Sequence, residues 1–327
     1  QPEAPESPTQ ELAKEPNQSA PPVNQTPSSA PSPSTFSQIA SKSLHVESWS
    51  FAGDTANDIR STDPTGAALL DEVAETPQAR WFGEWVSNIS AGVGAYVQEA
   101  KSANAVPMIV LYNIPYRDCY GYSGGGLEDR NAYLDWITAA QQGIGDNPAV
   151  VILEPDAIAL VECLPQIKRT ERYEMIAEAV DILNQGDQTL VYIDAGHSNW
   201  VPDSVMASRL QQSGVGSARG FALNVSNFRT SEENISYGES LSDLLGGRGY
   251  VIDTSRNGQG PDPNAEWCNP SGRGLGEKPR FIQDATSLDA FLWIKKPGES
   301  DGTCNGGPSA GTWWPEYAIG LAERAKE

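Results

Sequence analysis

The chain has 327 residues, with 43 acidic against 22 basic side chains and a formal net charge of −21. That balance argues against nucleic acid or an anionic membrane surface as partner, because both are bound through basic patches. No apolar stretch approaches the ~20 residues of a membrane span.

Residues 1–36 are rich in Pro, Ser, Gln and Glu and nearly devoid of groups that could bury surface. Such a segment is expected to be an extended, disordered linker or tail, once spacing the domain from a signal peptide, an anchor or a binding module. No signal peptide is present, so a mature or trimmed chain is expected. The remaining residues 37–327 are expected to form one domain, since about 290 residues suit a single α/β barrel better than two cores.

SLHVESWSF (43–51) reads as a first strand and TGAALLDEVAETPQARWFGEWV (65–86) as a helix interrupted at Pro77. ISAGVGAYVQEAKSAN (89–104) carries apolar positions at helical spacing, and PMIVLYN (107–113) is a strand. Helix 129–145, strand 149–153, helix 172–186, strand 189–193, helix 201–214 and strands 221–225 and 249–253 follow. The glycine-rich stretch 255–289 has little periodicity and is expected to loop over the active face. AFLWIK (290–295) is the last strand, and a helix at 314–325 ends the chain. About seven strands alternating with helices imply βαβ units and a parallel sheet, which suits a single α/β barrel.

Five of the apolar runs lead into acids: Asp118, Glu154-Pro155-Asp156, Asp194, Asp253 and Asp301. Runs of this kind suit strands buried on both faces, and barrel chemistry sits at their carboxyl ends. A single aspartate there also starts turns and caps helices, but a ring of five points to carboxylate chemistry. In VVILEPDAIAL, Asp156 has apolar neighbours that would desolvate it and keep it protonated near neutral pH, as a general acid must be. Glu154 is expected to point into the barrel and pair structurally. Asp118 sits between Arg117 and a cysteine, either in a surface turn or close enough to Asp156 to raise its pKa. Lys295, Glu299 and Asp301 share a glycine-framed loop that can carry a second carboxylate across a cleft. Trp81, Trp200, Trp267 and Trp313, among nine tryptophans, fall at element ends, where aromatic faces can stack on sugars. Carboxylates, aromatic platforms and the absence of a basic patch together point to glycoside hydrolysis.

Cys119, Cys163, Cys268 and Cys304 form no CxxC spacing, and the two histidines are His45 and His197. Zinc is therefore not expected, and neither is any other cofactor. Four cysteines allow three pairings, of which Cys119–Cys163 with Cys268–Cys304 is the simplest. Disulfides imply a secreted or extracytoplasmic location.

The segments LYNIPYRDC (111–119), VILEPDAIA (151–159), YIDAGHSNW (192–200), LNVSNF (223–228), EWCNPSGRGLG (266–276) and LWIKKPGESDGTC (292–304) resemble, in order, the motifs of glycoside hydrolase family 6, the β-1,4-glucanases. The resemblance implies a distorted, TIM-like parallel β/α barrel and an inverting mechanism on cellulose or cello-oligosaccharides. It casts Asp156 as proton donor, Asp118 as the partner that raises its pKa and Asp301 as candidate base. Tyr112 would crowd the sugar at the cleavage point and Ser123 would hold the attacking water. Asp194, Lys295 and Glu299 would hydrogen-bond that sugar. Trp81, Trp200 and Trp267 would be stacking platforms, with His197 beside Trp200. Asn227 would also contact substrate, with Asn224 as its alternative. The family's two bridges agree with the simplest cysteine pairing. Few residues separate Cys304 from the terminal helix, and the GYSGGG turn (121–126) is short, so neither can form a roof. An open cleft with internal chain cleavage, in a monomer, is expected; a cellobiohydrolase or a non-catalytic carbohydrate-binding protein are the alternatives.

Overall fold

The structure is a computed structural model describing residues 33–284 and 286–326. Most of the expected linker, residues 1–32, lies outside the described residues.

Among the described residues, seven strands run parallel: β1 (Arg80–Phe82), β2 (Met108–Leu111), β3 (Ala149–Leu153), β4 (Thr189–Asp194), β5 (Gly220–Leu223), β6 (Gly249–Asp253) and β8 (Leu288–Leu292). The two-residue β7 (Arg280–Phe281) pairs antiparallel with the outer edge of β8. The expected parallel β/α barrel is therefore present. It is distorted because β1 and β8 share no strand ladder. Ala79 N–H donates to Trp293 O at 2.9 Å, and Trp81 Nε1–H to Ile294 O at 2.8 Å, across that gap.

The near-continuous apolar runs follow from burial on two sides. Val150, Ile152, Leu190 and Tyr192 belong to an inner cluster. Their neighbours Val151, Leu153, Val191 and Ile193 pack with the helices. Burying each such side chain stabilises the fold by about 1.5–3 kcal/mol, which holds the register of both faces. α1 (Pro33–Ala40) sends Phe36 and Ile39 into the inner cluster. The Arg219 guanidinium, one residue before β5, lies 4.4 Å from the Phe36 ring centroid. α1 thus plugs the end where the strands begin, and the expected boundary at residue 36 falls inside this helix.

α2 (Phe51–Ile59), α3 (Pro64–Ala74), α4 (Ile89–Ser102) and α5 (Arg130–Ile144) open on Ser50, Asp63, Asn88 and Asp129, whose side chains accept first-turn N–H groups. α6 (Gln166–Leu183), α7 (Asp203–Gln212), α8 (Ser231–Leu244) and α9 (Pro315–Glu323) complete the helices among the described residues. α8 begins on a capping box, in which Thr230 and Glu233 satisfy each other's backbone N–H groups.

Two expected elements differ. Residues 43–51 form no strand; Leu44 makes one bridge with Val106, and Ser50 caps α2 instead. Helix 65–86 ends at Ala74, before Pro77, and Arg80–Phe82 becomes β1. Proline cannot continue the helix, and three residues are too few to display strand alternation.

Candidate active site

The carboxyl ends of the strands open into a cleft of about 1050 Å³. Asp118, Asp156 and Asp301 line it, with Tyr112, Ser123, Trp81, His197, Trp200, Asn227, Trp267, Lys295 and Glu299. Of the residues singled out in sequence, Asp194 does not line the wall. It is buried behind Asp156, accepting Asp156 N–H at 2.9 Å and Gly196 N–H at 3.1 Å through Oδ1. Its contact is thus with the backbone that carries Asp156.

Asp156 leaves β3 with a left-handed φ of 68°. Glu154, with φ 51°, breaks the in–out alternation first. The Glu154 carboxylate consequently does not point into the barrel. It accepts the N–H groups of Asn113 and Ile114 at 3.0 and 3.1 Å, beside Tyr133 of α5 and Arg172 of α6 on the helix side. Its pairing is structural, as expected, although burial pushes its pKa up to about 7.

Asp118, Cys119 and Tyr120 follow one another at φ 53°, 47° and 69°. Left-handed non-glycine residues cost about 1–3 kcal/mol each, so the surrounding structure must hold them. The Cys119–Cys163 disulfide ties this turn to the segment that follows Asp156. Arg117 is buried, not in a surface turn. Its guanidinium pairs with Glu84, donates to Tyr112 O at 3.0 Å and Ser123 O at 2.8 Å, and lies 4.7 Å from the Tyr112 ring centroid. Asp118 Oδ2 accepts Ser123 N–H at 2.7 Å.

Asp301 is held from the far side. Oδ2 accepts from buried Arg256 Nη1 at 2.9 Å and from Asn269 N–H at 3.0 Å, while Asn269 Oδ1 accepts Asp301 N–H at 2.8 Å. The second disulfide, Cys268–Cys304, brackets this clamp. Both bridges have the simplest pairing.

The electrostatics separate these acids. Burial first, then the negative charges of Asp118 and Asp301, push the Asp156 carboxyl up to about 7. Burial also raises Asp118, against the pull of Ser123 N–H and Arg117. Asp301 has a buried cation against it. A carboxyl pushed up toward neutral pH and a second carboxyl paired with a cation thus face one cleft, and acid–base work needs two such groups. His197 is pushed down to about 4 by burial and by Arg229, so it is neutral at neutral pH. Its ring lies 5.3 Å from Trp200.

Asn227 lines the cleft, whereas Asn224 is buried and donates to Arg229 O and Asp253 O at 3.1 and 2.9 Å. Asp253, the remaining acid of the ring, is also structural; it accepts the N–H groups of Ser226, Ser255, Ile294 and Lys295. Lys295 Nζ lies 3.8 Å from Glu299. The stretch after Cys304 folds back on the wall, with Gly311 N–H donating to Ser300 O and Ser300 N–H to Thr312 O at 2.9 Å. Tyr122 packs on Gly302, where a Cβ would fall 2.4 Å from the ring, and lies 6.2 Å from Trp267. The 121–126 turn therefore touches the 302 wall at Tyr122.

Sequence reasoning missed several of these residues. Trp85 and Tyr122 line the cleft, and the element-end rule applied to the other tryptophans would have found Trp85. Arg256 and Asn269 lie in the aperiodic 255–289 stretch; nothing local marks Arg256, whereas Asn269 falls within the EWCNPSGRGLG segment (266–276) and was not singled out. That stretch reaches the cleft only in part, through Ala265 and Trp267.

The family model for glycosyl hydrolases family 6 matches residues 40–325. Endoglucanase A of Cellulomonas fimi is 47% identical over 265 residues, covering 80% of this chain and 57% of that protein. Endoglucanase 1 of Streptomyces halstedii is 45% identical over 265 residues, covering 78% of this chain and 81% of its own. The chain thus spans little more than half of the first relative's length. The endoglucanase Cel6 of Mycobacterium tuberculosis, solved with methyl-cellobiosyl-4-deoxy-4-thio-β-D-cellobioside, superposes with a TM-score of 0.83 at 46% identity. That match covers 88% of this chain and 98% of the other.

Proposed function

This chain belongs to glycosyl hydrolase family 6, and from that membership we propose that it hydrolyses internal β-1,4-glucosidic bonds of cellulose or related β-glucans with inversion. The observation that carries the reading is one cleft holding a carboxyl raised to about 7, Asp156, and a cation-held carboxyl, Asp301.

Asp156 donates its proton to the leaving glycosidic oxygen. Asp118 keeps that proton in place by its charge. Asp301 receives the proton of the water that attacks the opposite face of the sugar, an arrangement that needs about 6.5–9.5 Å between the two carboxyls. Tyr112 crowds the sugar at the point of cleavage, and Ser123 holds the water. Lys295 and Glu299 bind the sugar's hydroxyls. Trp81, Trp200 and Trp267 offer aromatic faces to successive rings, with His197 and Asn227 beside them. Asp194 acts through the Asp156 backbone. Residues 33–326, α1 included, form the catalytic domain of a secreted monomer.

Because the donor must be protonated, kcat/KM falls as pH rises through about 7. Asp118→Asn removes a charge that raises Asp156, so that limb moves to lower pH; a limb that stays put separates Asp118 from the donor. The short turns at 121–126 and 304–313 support internal attack, since neither has the length of a roof. Carboxymethylcellulose should lose viscosity sharply while few reducing ends have formed. Slow viscosity loss, with cellobiose released from chain ends from the start, overturns the internal mode.

A further inference from the structure

Outside the cleft, Trp49 and Phe51 are 56% and 50% exposed. Their ring centroids are 4.8 Å apart, and Phe51 lies 6.4 Å from Trp313 with the two rings 17° from parallel. Large aromatics grouped on a surface mark a binding surface more often than single exposed ones do. These are also held in place. Trp49 Nε1–H donates to Asp54 Oδ2 at 2.8 Å, and Trp313 Nε1–H to Thr55 Oγ1 at 3.0 Å. Ser50, between Trp49 and Phe51, caps α2. Trp49 and Phe51 thus flank the N-cap of α2, and Trp313 is tied to the same helix through Thr55, so the three rings stand pre-positioned, which lowers the ordering cost of binding.

The groove they line continues the cleft. Lys296 and Glu299 belong to the walls of both. Glu47, also in the groove, pairs with Arg80 and, at 3.0 Å, with Lys296, both of which line the cleft. Ser50, Gln78 and Glu299 give the groove a polar rim. An extended sugar polymer lying in the cleft and passing Lys296 would run onto this surface. Apolar ring faces bordered by hydrogen-bonding groups match a neutral polysaccharide.

We propose that Trp49, Phe51 and Trp313 form an outlying glucan subsite, which receives the substrate chain where it leaves the cleft past Lys296 and Glu299. The inference rests on the β-glucan hydrolysis proposed above. It predicts that the platform matters for chains long enough to reach it and hardly for a tetramer that fills the cleft.

The test compares kcat/KM for cellotetraose with kcat/KM for soluble hydroxyethylcellulose. Trp49→Ala and Phe51→Ala should each lower the polymer value about fivefold more than the tetraose value, the size of one lost aromatic stack. Trp49→Phe should restore most of the ratio. A variant that is merely less stable lowers both values equally, so the ratio separates binding from folding. An unchanged ratio in both alanine variants overturns the platform and leaves the hydrolysis standing. A wild-type protein that cleaves neither substrate overturns the hydrolysis, and the platform with it.

Discussion

Asp156→Asn should lower turnover on unactivated β-glucans by about 10³-fold, the scale of a lost general acid. Asparagine nearly matches aspartate in volume, and the Asp156 backbone N–H stays bonded to Asp194. The cleft should therefore still bind substrate. What is lost is a transferable proton. The protein keeps that proton on Asp156 by desolvation and by the nearby charges of Asp118 and Asp301. A substrate whose leaving group needs no protonation, such as an aryl cellobioside with an acidic phenol, should lose far less. Wild-type turnover on cellulose by the variant would mean that another residue is the donor.

The second large effect concerns a residue that touches no substrate. Arg256 is fully buried, donates to Asp301 and to Ser226 O, and lies 4.3 Å from the Phe228 ring centroid. Arg256→Leu leaves the Asp301 carboxylate in the protein without its cation. Breaking a buried pair from one side typically costs about 3–5 kcal/mol, because the remaining charge is uncompensated. Urea unfolding should show that loss. Asp301→Asn in the same chain should recover part of the stability, since it removes the stranded charge. A double variant no more stable than Arg256→Leu would show that Arg256 acts by packing on Phe228 and not through Asp301.

Much of this site was legible because its acids end strong apolar runs. Val150 to Leu153 are apolar on both faces of β3, so the strand and its end could be read together, and Asp156 with it. The same logic misdirected Glu154. Alternation predicts an inward side chain, but left-handed φ at Glu154 and Asp156 twists the chain out of register, and no residue there announces it. β1 is three residues long and follows Pro77, so its letters merged with those of α3. α8 reads SEENISYGESLSDL, with polar residues around much of its circumference, and its existence rests on the Thr230–Glu233 capping box and on packing. Asp194 was expected at the sugar from the family resemblance. Its actual contact, the Asp156 N–H, depends on how two neighbouring strands end side by side, a relation that no local pattern encodes. Arg256 and Asn269 belong to a stretch without periodicity and reach Asp301 only through the fold.

The central claim, hydrolysis with inversion by Asp156 and Asp301, is tested most directly by proton NMR of fresh product. Cellopentaose cleaved within the first minutes, before mutarotation, should show the α-anomer at each new reducing end. An initial β-anomer would contradict the two-carboxylate, water-between arrangement and require a covalent intermediate on one of these acids.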